Sequence, residues 1–241
     1  MAPAIVAHRG ASKAAPENTL AAFRLAIEQG ARLVECDVHL SVDGVPVVMH
    51  DARLDRTTDG AGPIEERTLA ELKLLDAGSW FDARFAGERV PALDETLDLC
   101  AAKARLFVEL KRGGGAALVE AALARIARSG CDVAVISFGP EEVQGVARAR
   151  PDLPLGFLVE RQTVAEHGVD RLLEATRQMG ATFFSPQQSA VDAALVTKAH
   201  EAGLPVSVWT VDDAHRMREL ADLGVDAITT NVPDVALAVF S

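Results

Sequence analysis

Two short segments near the start of the chain hold most of the side chains that can do acid–base or metal chemistry. His8-Arg9-Gly10 is followed by Pro16-Glu17-Asn18-Thr19, and Glu35-Cys36-Asp37-Val38 runs through Asp43-Gly44 to His50-Asp51. The imidazoles of His8 and His50, the carboxylates of Glu35 and Asp37 and the guanidinium of Arg9 therefore fall within the first 51 residues, at spacings that strands can bring to one point. Further on, Val108-Glu109-Leu110-Lys111 adds another carboxylate and another cation. These groups suit metal-assisted cleavage of a phosphodiester. Carboxylates hold a hard cation, imidazoles move protons near neutral pH, and fixed cations offset phosphoryl charge.

Glu35 and Asp37 alternate with Val34, Cys36 and Val38, so both carboxylates share one face of a strand and the apolar set takes the other. An inward carboxylate is expensive unless it is paired or binds a metal. Glu35, Asp37 and Glu109 together imply a hard divalent cation, Mg2+ or Ca2+; the alternative is a structural ion network with Arg9 and Lys111. His8 and His50 are the candidate general acid and base, with the assignment between them open. Arg9 suits a bidentate contact with phosphoryl oxygens, and Lys111 supplies a point charge. Trp209 either walls the substrate pocket or fills the core. His39 reads as a polar residue of a hairpin, and His167, His200 and His215 as solvated. No GxxxxGK[ST] loop is present, Gly113-Gly114-Gly115 reads as a flexible turn, and Ser12, Ser137 and Ser185 lack the context of a serine nucleophile.

The elements that must position these groups follow a repeating rhythm. Parallel strands are expected at Ala4–His8, Leu33–Leu40, Arg105–Leu110, Val133–Ser137, Leu155–Leu158, Thr182–Phe184, Val206–Thr210 and Asp226–Thr230. Helices are expected at Thr19–Glu28, Asp94–Lys103, Ala116–Arg128, Pro140–Arg148, Val169–Met179, Val191–Ala202 and Asp212–Leu223. Gly30, Gly130, Gly180, Gly203 and Gly224 each stand just past a helix, where a left-handed cap belongs. The pattern is α/β, a TIM-type (β/α)8 barrel, in which reactive groups gather at the C-terminal strand ends. One connection breaks the rhythm. Only Ser41-Val42-Asp43-Gly44 separates Leu33–Leu40 from Val45–Met49, too few residues for a parallel crossover. A β-hairpin turning at Asp43-Gly44 is expected, bringing His50 roughly opposite Asp37. Residues 52–91 read as a small insertion over the barrel mouth, with a short helix over Thr68–Leu75 capped by Thr68 and Glu71. The whole chain, 1–241, reads as one domain.

Bulk properties narrow the partners. With 241 residues, 49% hydrophobic and 24% charged, the composition is that of a globular protein. A net charge of −11 argues against nucleic acid and against stable attachment to an anionic membrane. It leaves room for a small anionic substrate at a locally cationic site. Three cysteines without CxxC spacing read as free thiols in a reducing compartment. With no signal-peptide pattern at the start and no apolar run long enough to span a bilayer, the expected location is cytoplasmic.

The quoted segments resemble the glycerophosphodiester phosphodiesterase family. His8-Arg9-Gly10 with Pro16-Glu17-Asn18-Thr19, and Glu35-x-Asp37-Val38 through Asp43-Gly44-x-Pro46-Val47-Val48-x-His50-Asp51, match its two signature blocks. Similar matches occur at Arg56-Thr57-Thr58-x-Gly60, Phe85-Ala86-Gly87-Glu88-Arg89-Val90-Pro91, Glu109-Leu110-Lys111, Trp209-Thr210-Val211 and Thr229-Thr230-Asn231-x-Pro233-Asp234. Asn231 departs from the aspartate common there. The resemblance implies a barrel enzyme with His8 and His50 as its acid–base pair. It implies Glu35, Asp37 and Glu109 on one divalent metal, and Arg9 and Lys111 on the phosphate. Such enzymes hydrolyse glycerophosphocholine, glycerophosphoethanolamine and similar diesters to glycerol 3-phosphate and an alcohol. The attacking group is water or the substrate's glycerol 2-hydroxyl. Two alternatives are a lysophospholipase D acting on lysolipids and a non-catalytic phosphodiester-binding barrel.

Overall fold

Val34, Cys36 and Val38 of the strand Leu33–Leu40 are fully buried among apolar neighbours, while Glu35 and Asp37 are buried on its opposite face. This strand, β2, organises the site. The computed structural model describes residues 2–241, in which eight parallel strands carry helices between them. In chain order the strands are β1 (Ala4–Ala7), β2 (Leu33–Leu40), β3 (Pro46–Val48), β4 (Arg105–Leu110), β5 (Val133–Ser137), β6 (Leu155–Val159), β7 (Phe183–Pro186), β8 (Ser207–Val208) and β9 (Ala227–Thr230). Their spatial order is β7-β6-β5-β4-β2-β1-β9-β8, with β3 paired to β2 outside that path. Parallel bridges Phe184↔Val206 and Gln187↔Trp209 bring the β7 end back to the β8 end. The sheet is a nearly closed (β/α)8 barrel.

One edge of β2 is shared by two strands. Its first residues pair with β1 (Val6↔Leu33, Ala7↔Val34), and its last with the antiparallel β3 (Val38↔Val48, His39↔Val47, Leu40↔Pro46). β1 ends where His8 begins, and β3 runs back towards His50. The break between them falls at residues 35–37, so both imidazoles arrive beside the two carboxylates. The hairpin register is one residue from strict opposition: Met49, not His50, bonds Asp37, its N–H donating to the Asp37 carbonyl at 3.0 Å. The other edge of β2 pairs with β4 along its length and sets Asp37 beside Glu109.

Five expected caps are present: Gly30, Gly130, Gly180, Gly203 and Gly224 all have positive φ. Helix Leu69–Leu72 carries the expected Thr68–Glu71 capping box but stops short of Leu75. Two helices were not legible in the sequence, Arg161–His167 and Pro233–Val239. The first buries no residue, so it has no apolar stripe, and the second is a short turn begun by a proline. Residues following β3 gather around their own apolar cluster, in which Leu54, Ile64, Leu72, Ala77 and Val90 pack on Val47 and Met49 of the hairpin. Among the described residues no helix is long and apolar enough to cross a membrane.

Candidate active site

Asp37 lies at the centre and is wholly buried. Its Oδ1 is 2.6 Å from Lys111 Nζ, and its Oδ2 is 3.1 Å from Arg9 Nε and accepts from Asn18 Nδ2 at 2.7 Å. Lys111 Nζ is also 2.6 Å from Glu109 Oε1. Glu35 Oε2 accepts from the backbone N–H of Arg9 at 2.9 Å, a contact made possible by left-handed backbone at Arg9 (φ 56°). Gly10 follows with φ 82°, and a Cβ there would come within 2.5 Å of the Ala22 backbone. Only glycine lets the loop press against the first helix (Leu20–Glu28) at this point.

The three carboxylates can each place one oxygen so that all lie within 4.8 Å of one another. With all three ionised, three negative charges would face the two positive ones of Arg9 and Lys111, one in excess. Glu35 Oε1 is buried without a hydrogen-bond partner among the described residues, whereas Asp37 Oδ1 and Glu109 Oε1 face only the Lys111 ammonium. Burial, reinforced by Asp37, pushes Glu35 well above the ordinary carboxylate range and Glu109 up to about 7. Burial acts the same way on Asp37, but Lys111 and Arg9 outweigh it and hold that carboxyl far below its usual value.

Each imidazole is oriented by an acceptor at Nδ1. His8 Nδ1 is 2.7 Å from Asn231 Oδ1, and His50 Nδ1 is 2.7 Å from Asp51 Oδ1. Burial lowers the His8 pKa to about 4, Arg9 adding to the effect, and burial also lowers His50. Behind His50 runs an ionic chain. Arg56 grips Asp51 through Nε at 2.7 Å and Glu17 through Nη1 and Nη2 at 2.8 Å each, while Glu17 reaches Arg9 Nη1 at 2.8 Å. Behind His8, Asp212 Oδ2 accepts from Asn231 Nδ2 at 2.8 Å, and Ser12 Oγ lies 2.8 Å from Asn231 Oδ1.

His8, Arg9, Glu35, His50, Glu109 and Trp209 line a small pocket of about 110 Å³. Lys111 instead lines a wider cleft of about 940 Å³, to which His50 and Glu109 also contribute. Trp209 donates from Nε1 to the Ser185 carbonyl at 2.9 Å and stands edge-on to Phe138. All eight residues singled out from sequence thus converge on one place. His39 reaches the His50 carbonyl at 3.0 Å, and His167 borders the cleft, whereas His200 pairs with Asp226 and His215 with Glu219, and neither lines the cleft or the small pocket. The glycine run binds its own chain: Gly113 and Gly115 donate to Glu142 Oε1. Ser137 and Ser185 hydroxyls are spent on the carbonyls of Leu110 and Ser207.

Sequence reasoning gave no role to Glu17, Asn18, Asp51, Arg56, Asp212 or Asn231. All but Asp212 stand inside the motifs quoted for the family resemblance, which was the signal that could have found them. Asp212 carried no signal beyond its place at the expected start of a helix. That helix begins two residues later, at Ala214, with Asp213 as its cap, which frees Asp212 to face Asn231.

Fold and site together define a barrel enzyme working at the C-terminal mouth of its strands. The model of the glycerophosphoryl diester phosphodiesterase family matches residues 8–235. A glycerophosphodiester phosphodiesterase of Caldanaerobacter subterraneus is 36% identical over 238 residues, covering 97% of this chain and 96% of the relative. A phosphodiesterase of Oleispira antarctica, solved in complex with the product sn-glycerol 3-phosphate, superposes with a TM-score of 0.92 at 32% identity. The match covers 99% of this chain and 97% of that one. The glycerophosphodiester phosphodiesterase of Agrobacterium tumefaciens gives a TM-score of 0.84 at 34% identity, the match covering 99% of this chain and all of that one. The chain belongs to the glycerophosphoryl diester phosphodiesterase family and is an enzyme of the phosphoric diester hydrolase class.

Proposed function

We propose that the protein hydrolyses glycerophosphodiesters, such as glycerophosphocholine and glycerophosphoethanolamine, to glycerol 3-phosphate and an alcohol. The observation that carries this reading is the approach of His8 and His50 to one buried carboxylate trio from the two strands that share an edge of β2. The product complex of the Oleispira relative supports the same substrate class.

Glu35, Asp37 and Glu109 fit a divalent cation, Mg2+ or Ca2+: they are hard oxygen donors gathered at one point, Glu35 has an orphaned buried oxygen, and when all three are ionised they exceed the charge of Arg9 and Lys111 by one. Bound there, such an ion supplies Lewis acidity towards the phosphoryl group and stabilises an ionised nucleophile. It would leave the cluster with one positive charge, equal and opposite to that of a phosphodiester. Lys111, held between Asp37 and Glu109, also lines the cleft and would offer positive charge to the substrate phosphate there. Arg9 keeps Glu17 and Asp37 as partners and adds positive charge to the wall of the small pocket.

His8 and His50 present Nε2 to the reacting groups because Nδ1 of each is committed to Asn231 or Asp51. One takes the proton of the attacking hydroxyl, from water or from the substrate's glycerol 2-hydroxyl, and the other protonates the departing alcohol. Fixed charges carry most of the catalytic load in phosphoryl transfer. In the same reading, residues 1–241 are a single barrel domain with 52–91 as an accessory over its mouth. Arg56, from that segment, supports this by bracing Asp51 and Glu17. Buried free Cys36 and Cys100 support a reducing, cytoplasmic setting.

A lysolipid substrate gains no support, since Arg112, Gln144, Glu160, Arg171 and Gln178 interrupt the apolar side chains Phe138, Phe157, Leu158, Leu172 and Met179 along the wide cleft. The test is to incubate purified protein with glycerophosphocholine and Mg2+ or Ca2+ and identify the phosphorylated product. Glycerol 3-phosphate with free choline supports the reading; phosphocholine would place the cut on the other ester bond.

A further inference from the structure

The small pocket, at about 110 Å³, falls well below the usual size of a ligand site, whereas the cleft, at about 940 Å³, lies within that range. They share the walls His50, Glu109, Phe138 and Leu158. A diester whose phosphorus lies between the imidazoles therefore extends one of its substituents into the cleft. The charge of that cleft is unlike that of the rest of the molecule. In a chain of net charge −11, it is lined by Lys111, Arg112 and Arg171 against Glu109 and Glu160. Lys111 and Glu109 are already paired with each other. Neither Arg112 nor Arg171 makes an ion pair or a side-chain hydrogen bond among the described residues, and both are exposed. Two unspent guanidiniums thus outnumber one carboxylate.

The cleft also lacks what a quaternary ammonium needs. Recognition of choline uses the faces of several aromatic rings. Here the rings are Phe138, whose neighbour is Trp209 in an edge-on contact, and the mostly buried Phe157; the chain has no tyrosine.

We infer that the cleft is a subsite for the alcohol portion of the substrate, and that Arg112 and Arg171 select alcohols carrying an anionic group of their own, a phosphorylated polyol being the best match. This rests on the hydrolytic reading above and adds to it the substrate class. Guanidinium–phosphate contacts are charge-assisted and bidentate where geometry allows, and the open cleft leaves both side chains free to adopt it.

The experiment compares kcat/KM for glycerophosphoinositol 4-phosphate with kcat/KM for glycerophosphocholine, in the wild type and in an Arg112→Gln/Arg171→Gln variant. The wild-type ratio is expected to favour the phosphorylated substrate by about tenfold or more, and the double substitution to remove most of that preference. In the wild type alone, raising the salt concentration should erode the ratio, because exposed charges are screened. A ratio that is the same in the variant, insensitive to salt, or in favour of glycerophosphocholine overturns the inference while leaving the hydrolytic reading intact. Absence of hydrolysis of either substrate overturns both.

Discussion

Asn231 Oδ1 lies 2.7 Å from His8 Nδ1, and the orientation of that amide is set from behind by Asp212, which accepts from its Nδ2 at 2.8 Å. An ionised carboxylate only accepts, so it must face the NH2 side, which leaves the amide oxygen for His8. His8 is thereby fixed as the Nδ1–H tautomer with its Nε2 lone pair towards the pocket. Asp212→Asn lets the amide turn over. The expected outcome is a kcat about tenfold to hundredfold lower with KM little changed, the usual size of an orienting contact. Nitrogen NMR of the His8 ring should show one tautomer in the wild type and a mixture in the variant. An unaltered ring signal with undiminished kcat would remove the orienting role.

Both histidines stand where proton transfer is required. His8→Ala and His50→Ala should each lower kcat by about 10²- to 10⁴-fold, with the circular dichroism spectrum and cooperative melt of the barrel retained. A His50→Ala enzyme turning over at the wild-type rate would contradict the acid–base assignment.

His8 also makes stability depend on pH. Its folded-state pKa, about 4, lies below the ordinary 6.5, because burial disfavours the charged ring. The unfolded chain therefore binds a proton that the native state refuses throughout the interval from 6.5 to 4, and stability must fall as pH drops through that window. Above 6.5 this contribution is fully present. His8→Gln, uncharged at every pH, should flatten the decline in melting temperature between pH 6.5 and 4. An equally steep decline in the variant would show that other groups govern it.

Gly10 tests the backbone of the site. Its φ of 82°, and the mere 2.5 Å that would separate a Cβ from the Ala22 backbone, leave no room for a side chain. Gly10→Ala should destabilise the protein by about 2 kcal/mol or more and displace Arg9 from Glu35, lowering activity at the same time. Denaturant unfolding that shows no change in midpoint would contradict this.

Much of the barrel was legible because strand and helix periods alternate cleanly and glycines mark five helix ends. The strand β2 and the hairpin after it could be read because four residues cannot make a crossover. Arg161–His167 could not, since a helix lying on the surface without a buried face has no periodicity to betray it. Glu35 and Asp37 were legible from alternation, and Glu109 from the expected pairing of its strand within the barrel. The ties of this carboxylate trio to Lys111 and Arg9 were only one of two readings, and the structure shows those ion pairs together with an orphaned oxygen at Glu35. Asp212 lies far beyond Asp37 in sequence, and only barrel closure brings its loop to the first strand; nothing local announces it.

Most of the proposed chemistry depends on the carboxylate trio holding a divalent cation. Its most direct test is release of glycerol 3-phosphate by enzyme stripped with a chelator and then titrated with Mg2+ or Ca2+, with the melting temperature followed in parallel. Activity that vanishes on stripping and returns with the ion, together with a melting temperature that rises as the ion binds the native state and a Glu35→Gln variant needing far more of it, is the predicted result. Full turnover in excess chelator would contradict it.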